Sequence, residues 1–131
     1  MENLFEHPAE KLILLFLIAT FLQSGLDKVM DWKGNLSFIT GHFQNSPLKN
    51  SVPILLGIIT VLEIGASILM AIGIFQIIDT GSKELALCGV ELAALTLIFL
   101  LIGQRLAKDY AGAMTLAVYF IIAVCGVYLL N

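Results

Sequence analysis

The sequence has little charge. Only 13% of its 131 residues are Asp, Glu, Lys or Arg, whereas 59% are hydrophobic, and the mean hydropathy is +0.96. Soluble domains average about 25% charged and about 45–50% apolar residues. This composition therefore argues against an ordinary soluble enzyme domain and is typical of an integral membrane protein.

Basic residues are also few and scattered. The seven Lys and Arg residues and the net charge of -3 form no basic face, which argues against binding to nucleic acid. The first ten residues carry Glu2, Glu6 and Glu10, whereas the n-region of a signal peptide is positively charged. We therefore predict that the first apolar run is a retained membrane helix.

Metal-ligating and redox motifs are missing. The two cysteines, Cys88 and Cys125, lie far apart inside apolar segments, and no CxxC pair or Cys/His cluster suggests zinc, haem or a dithiol site. They fall at one depth in their predicted helices, so a redox pair is one interpretation; a small apolar packing role is the other. His7 and His42 have no second ligand at metal spacing, so we predict no metal site.

What the sequence does contain is four long apolar segments. A membrane helix needs roughly 20 residues to cross about 30 Å, and each segment is long enough. We predict an all-α fold, a transmembrane four-helix bundle forming a single membrane domain over 1–131. The predicted spans are residues 8–31, 51–78, 83–106 and 109–130.

The only long connection is predicted to contain a short interfacial helix. Trp32 and, within the segment 33–46, Leu36, Ile39 and Phe43 have a/d spacing, which favours an amphipathic helix on the membrane surface. The alternative is a partly ordered loop whose apolar residues dip into the headgroups.

The basic residues also predict an orientation. Five lie near loops one and three and two near the other face, and the positive-inside rule then places these loops in the cytoplasm and both termini outside. The five are Lys28, Lys33, Lys49, Arg105 and Lys108, and the two are Lys11 and Lys83.

Several polar residues fall at depth in these spans. At 1.5 Å per residue, Gln23 lies roughly 10 Å and Glu63 about 15 Å from the loop-one face. A carboxylate there costs about 2.5–3.5 kcal/mol, so it should face the bundle interior and either be protonated or find a donor. We expect four of the residues, Gln23, Glu63, Glu91 and Tyr119, to meet near one level. The candidate ligand-binding residues are Gln23, Ser24, Asp27, Lys28, Glu63, Glu91 and Tyr119; no catalytic residue is identified.

A structural interpretation stands beside the functional one. Glu63 and Glu91 would then be neutral or paired groups that join helices, a contact worth about 0.6–2 kcal/mol. Asp27 and Lys28, which follow Ser24 on the first helix, would be a solvated helix end near the interface.

Two of these segments resemble a known family. The first helix ends SGLDKVMDW and the second contains LGIITVLEIGASILMAIGI. These resemble the SG-x-x-K and E-x-x-G-type motifs of the DoxX family of small bacterial four-helix membrane proteins, and the likeness covers about 10–130. By position Ser24, Gly25 and Lys28 match the first motif and Glu63 the second. Gly65 departs from the strict spacing but supplies a small residue.

The resemblance implies an uncleaved inner-membrane protein. Some relatives are subunits linked to quinone-dependent sulfur oxidation or to complexes that handle oxidative and thiol stress, but the family brings no agreed catalytic residues. We therefore expect a non-catalytic or accessory membrane subunit of a larger, quinone- or redox-linked complex, with protein partners or a homo-oligomer.

Two other functions stay open. One is a self-contained intramembrane binding protein or oxidoreductase for a quinone or lipid-like ligand at the Glu63 cluster. The other is a small transporter that works as an oligomer. No cofactor has a recognisable motif, and a quinone is the one cofactor that the resemblance suggests.

Overall fold

The computed structural model describes residues 8–131 and shows five helices in that part of the chain. They are α1 (Pro8–Met30), α2 (Trp32–His42), α3 (Val52–Thr80), α4 (Glu84–Leu106) and α5 (Tyr110–Leu130). Four of them, all except α2, are long and apolar enough to cross a membrane. The predicted all-α, four-helix fold class is confirmed. His7 lies outside the described residues.

The four long helices form a closed bundle. α1 packs against α3 and α5, and α4 packs between α3 and α5 on the other side. The core is built from large side chains of α1, such as Leu14 and Leu17, and from small residues of α4, such as Ala86 and Ala93. Small residues let membrane helices approach closely, which strengthens van der Waals packing where no hydrophobic force is available.

Of the three α3 glycines Gly57, Gly65 and Gly73, only Gly73 is required for close helix packing. A Cβ on Gly73 would lie 2.5 Å from the backbone of Ala86, so α3 and α4 touch there. At Gly57 and Gly65 a Cβ would make only ordinary contacts, 3.9 Å from Trp32 and 4.0 Å from Leu92. The tight contact therefore lies near the turn that joins α3 to α4, and the two helices pack less closely toward the start of α3.

Local signals mark the helix ends. Gly81 ends α3 in the left-handed conformation, with φ of 80°, which glycine adopts without a Cβ penalty. Asp31 caps α2 by accepting a hydrogen bond from the Gly34 N–H at 3.3 Å, and Asn35 Nδ2 donates to the Asp31 carbonyl at 2.8 Å. α2 ends at His42, four residues before the predicted boundary.

Candidate functional site

An ion pair joins α1 to α3 inside the bundle. Lys28 Nζ lies 2.9 Å from Glu63 Oε1, and only 15% of the Lys28 side chain and 3% of the Glu63 side chain are exposed. The Lys28 ammonium also donates to Ser24 Oγ at 2.6 Å, one turn earlier on α1. A buried charge is tolerated when it is paired and hydrogen-bonded, so the three side chains form one polar group, the Lys28–Glu63–Ser24 group.

A glycine brings the two partners together. A Cβ on Gly25 would lie 2.7 Å from Ile64 Cγ1, so α1 approaches α3 closely at this position. Gly25 and Ile64 are each next in sequence to a member of the polar group, Ser24 and Glu63. The close approach therefore allows Lys28 to reach Glu63, and it explains why a glycine precedes the lysine in the SG-x-x-K pattern.

The Glu63 carboxylate is only partly satisfied. Oε1 is in ion-pair contact with Lys28, and within residues 8–131 it makes no hydrogen bond beyond that contact. Lys28 directs its ammonium mainly to Ser24 Oγ. A carboxylate oxygen has two lone pairs, so Oε1 can accept from a further donor while it stays paired with Lys28.

The polar group lies at one side of a cavity of about 610 Å³. This is within the range of about 300–1,000 Å³ found for small-molecule sites. The walls are almost wholly apolar and come from α1, α2, α3, α4, α5 and the segment after α2. They are Ser24, Lys28, Ile39, Phe43, Leu48, Val52, Leu55, Leu56, Ile58, Ile59, Glu63, Phe99, Leu100, Ile102, Gly103, Gln104, Leu106 and Leu116.

A second polar cluster lies at the loop end of this cavity. His42 Nε2 is 2.8 Å from Gln104 Oε1 and 3.4 Å from Asp109 Oδ2. Gln104 Nε2 donates to Asp109 Oδ2 at 3.2 Å, and Asp109 Oδ1 accepts the Gly112 N–H at 3.0 Å as the cap of α5. Sequence reasoning missed this cluster, because His42 lies 62 residues before Gln104 along the chain. Only the Asp109 cap position was a local signal.

The expected meeting of four polar residues at one level does not occur. Gln23 and Glu91 are exposed on the outer surface of the bundle, and Tyr119 is half-buried against Phe16, with ring centroids 6.0 Å apart. Asp27 is exposed as well. Their roles in ligand binding stay predictions, but they share no site with Glu63.

Helix phase explains these placements. The core positions of α1 are Leu14, Leu17, Phe21 and Gly25, and Lys28 continues this 3–4 spacing. Gln23 and Asp27 fall on other sides of the helix. On α4, Val90 and Ala93 occupy the core, so Glu91 points away from it.

The two cysteines are not joined in a disulfide, and a redox pair between them stays a prediction. Cys88 on α4 and Cys125 on α5 are both free and exposed on the outer surface. No group of three His, Cys, Asp or Glu residues within 8–131 has the arrangement of a metal site.

Comparison with known proteins agrees with this architecture. The chain matches the DoxX family over residues 11–79, which is more than half of its length and includes Ser24, Lys28 and Glu63. Neither the curated proteins nor the solved structures give a match. Both residues of the buried ion pair lie inside the matched region, and four helices of the chain are long and apolar enough to cross a membrane. The protein is a multi-pass membrane protein that belongs to the DoxX family.

Proposed function

We propose that this protein binds a lipophilic ligand with a neutral polar head inside its bundle, and that a quinone is the best candidate. The observation that carries the proposal is the Lys28–Glu63–Ser24 group beside an apolar cavity of about 610 Å³. Apolar walls with a few convergent polar groups are the usual design of small-molecule sites.

The charges of the group favour a neutral head over an anion. Lys28 and Glu63 compensate each other, so the site has no net positive charge to offset a phosphate or carboxylate. A quinone carbonyl can accept from the Lys28 ammonium, and the hydroxyl of the reduced form can donate to Glu63 Oε1. The proposal is a binding function, in which the protein contributes binding and orientation.

A titration tests this function. Trp32 is the only tryptophan of the chain, and its ring lies 3.9 Å from the Cβ position of Gly57, on the helix that lines the cavity. Quenching of Trp32 by a decyl-substituted benzoquinone in lipid nanodiscs should saturate. The double variant Lys28→Met/Glu63→Leu removes the polar group without leaving an unpaired charge, and it should bind at least about tenfold more weakly, as expected for lost hydrogen bonds to charged groups.

The control variant is Gln23→Leu, which removes an exposed polar group on the same helix. It should bind like the wild type. Equal quenching curves for the wild type and the double variant, with both proteins folded, would show that the quinone does not use this site.

An accessory role in a larger complex is the second candidate, and Glu91 favours it. This carboxyl lies about 10 Å along α4 from Glu84, exposed on the outer surface, with no partner among residues 8–131. Hydrocarbon around it would cost about 2.5–3.5 kcal/mol. A partner helix that donates a hydrogen bond would remove this cost.

The size of the particle in mild detergent tests the second candidate. Glu91→Leu should reduce a large complex to a single bundle, whereas Gln23→Leu, another exposed polar residue in a span, should not. A wild type that already migrates as a single bundle would argue against the accessory role. For either function, we propose the bacterial inner membrane as the location, with loops one and three in the cytoplasm and both termini in the periplasm, since five of the seven basic residues lie in or near these loops.

A further inference from the structure

α2 covers one end of the cavity without being part of the core. Ile39 and Phe43 contribute to the cavity wall, as does Leu48 in the segment that follows. Yet none of the residues of α2 is buried. An element with so little buried surface opens at low free-energy cost unless specific contacts hold it.

One specific contact does hold it. His42, the last residue of α2, donates from Nε2 to Gln104 Oε1 at 2.8 Å, which ties α2 to α4. The donors and acceptors of this cluster follow from its chemistry. The Asp109 carboxylate can only accept, so the Gln104 amide N–H points to it at 3.2 Å. The amide oxygen of Gln104 therefore points to His42. His42 must therefore carry a proton on Nε2. The next residue, Phe43, lies 3.5 Å from the Cβ position of Gly103.

The cavity has a different opening at its side. Ile58 on α3 and Phe99 and Ile102 on α4 line the cavity and are also about half exposed, at 50%, 48% and 50%. They form a rim between α3 and α4. Both helices are long enough to cross a membrane, so this rim faces lipid rather than water.

We propose that α2 is a lid, latched by His42 to Gln104, that separates the cavity from water, and that the ligand enters from the membrane between α3 and α4. This inference rests on the proposed binding function and narrows its ligand to a membrane-dissolved molecule. The lid keeps the Lys28–Glu63–Ser24 group in a low dielectric, where its electrostatic interactions are strongest.

Thiol labelling tests the lid without any ligand. In a Cys88→Ser/Cys125→Ser background, Ile59→Cys places a single thiol in the cavity wall. A sulfonated, water-soluble maleimide should label it slowly in nanodiscs. Adding His42→Ala or Gln104→Leu should raise the rate about five- to tenfold, as expected for a lost hydrogen bond that holds a local opening closed.

Thr40→Ala is the matched control. Thr40 is exposed on α2 and bonds only the Leu36 carbonyl of its own helix, at 2.6 Å, so its loss should leave the labelling rate unchanged. Equal labelling rates in the wild type and both latch variants would overturn the lid. Equal increases in all three variants would also overturn it, since they would reflect general loosening of α2.

Binding kinetics test the side opening. Ile58→Phe together with Ile102→Phe narrows the rim and should slow the Trp32 quenching by the decyl-substituted benzoquinone about fivefold, since a constricted approach lowers the association rate. His42→Ala should leave that rate unchanged. Faster binding in His42→Ala with no effect at the rim would show that the quinone enters under α2 instead. A wild type that binds no quinone refutes the binding function, whereas the labelling result still decides whether α2 is a lid.

Discussion

The two carboxyls deepest in the described helices, Glu63 and Glu91, have opposite environments. Glu63 on α3 is 2% exposed and contacts Lys28, whereas Glu91 on α4 is exposed on the outer surface and has no partner within residues 8–131. Both residues occupy apolar helices at a similar predicted depth. The difference teaches that depth alone does not make an intramembrane carboxyl part of a site. The carboxyl must also lie on the side of its helix that faces the bundle interior, and it needs a partner on a neighbouring helix.

The largest expected effect comes from removing the partner of Glu63. Lys28→Met leaves a buried, unpaired carboxylate and should lower the free energy of unfolding by about 3–5 kcal/mol. Lys28→Met/Glu63→Leu removes both charges and should recover most of that loss. Unfolding by increasing SDS in mixed micelles measures both variants. If the single and double variants unfold at the same SDS fraction, the ion pair does not stabilise the bundle.

A smaller effect is expected from separating the two helices that carry the pair. Gly25→Ala places a methyl group 2.7 Å from Ile64 Cγ1, and such overpacking costs about 1–3 kcal/mol. Gly41→Ala is the matched control, because nothing lies within 4 Å of its Cβ position on α2. The same unfolding assay applies. A Gly25→Ala variant as stable as Gly41→Ala would mean that α1 and α3 can separate without cost.

The smallest effect is expected at Glu91. In the isolated chain Glu91→Gln should not lower the free energy of unfolding, because the exposed carboxyl has no partner within residues 8–131 whose contact could be lost. The same substitution in a partner complex should weaken the complex, which size-exclusion chromatography in mild detergent measures. A large destabilisation of the isolated chain would instead place Glu91 in a contact within the bundle and remove the contrast with Glu63.

The fold could be predicted from composition and length. Four apolar segments of sufficient length leave few alternatives, because a membrane admits only structures that satisfy their backbone hydrogen bonds internally. Lys28 and Glu63 could also be singled out from the sequence, since both fall in motifs of the first two spans. The membrane depth predicted from the sequence could not distinguish Glu63 from Glu91, because depth along a helix does not tell which side of the helix faces the bundle interior.

The His42–Gln104–Asp109 cluster could not be predicted from the sequence, for a related reason. Gln104 and Asp109 are close in the sequence, but nothing local marks the distant His42 as their neighbour. They meet only because α2 folds back over the end of the bundle, next to the α4–α5 turn. Contacts of that kind depend on how helices are arranged around the bundle.

By itself the sequence determined that this chain has four helices long and apolar enough to cross a membrane, because length and composition require no knowledge of neighbours. It also determined that a charge near the end of α1 and a carboxyl within α3 would need partners. Only the tertiary structure decided which partners they find. The close approach at Gly25 brings Lys28 to Glu63, while the packing of Val90 and Ala93 turns Glu91 outward.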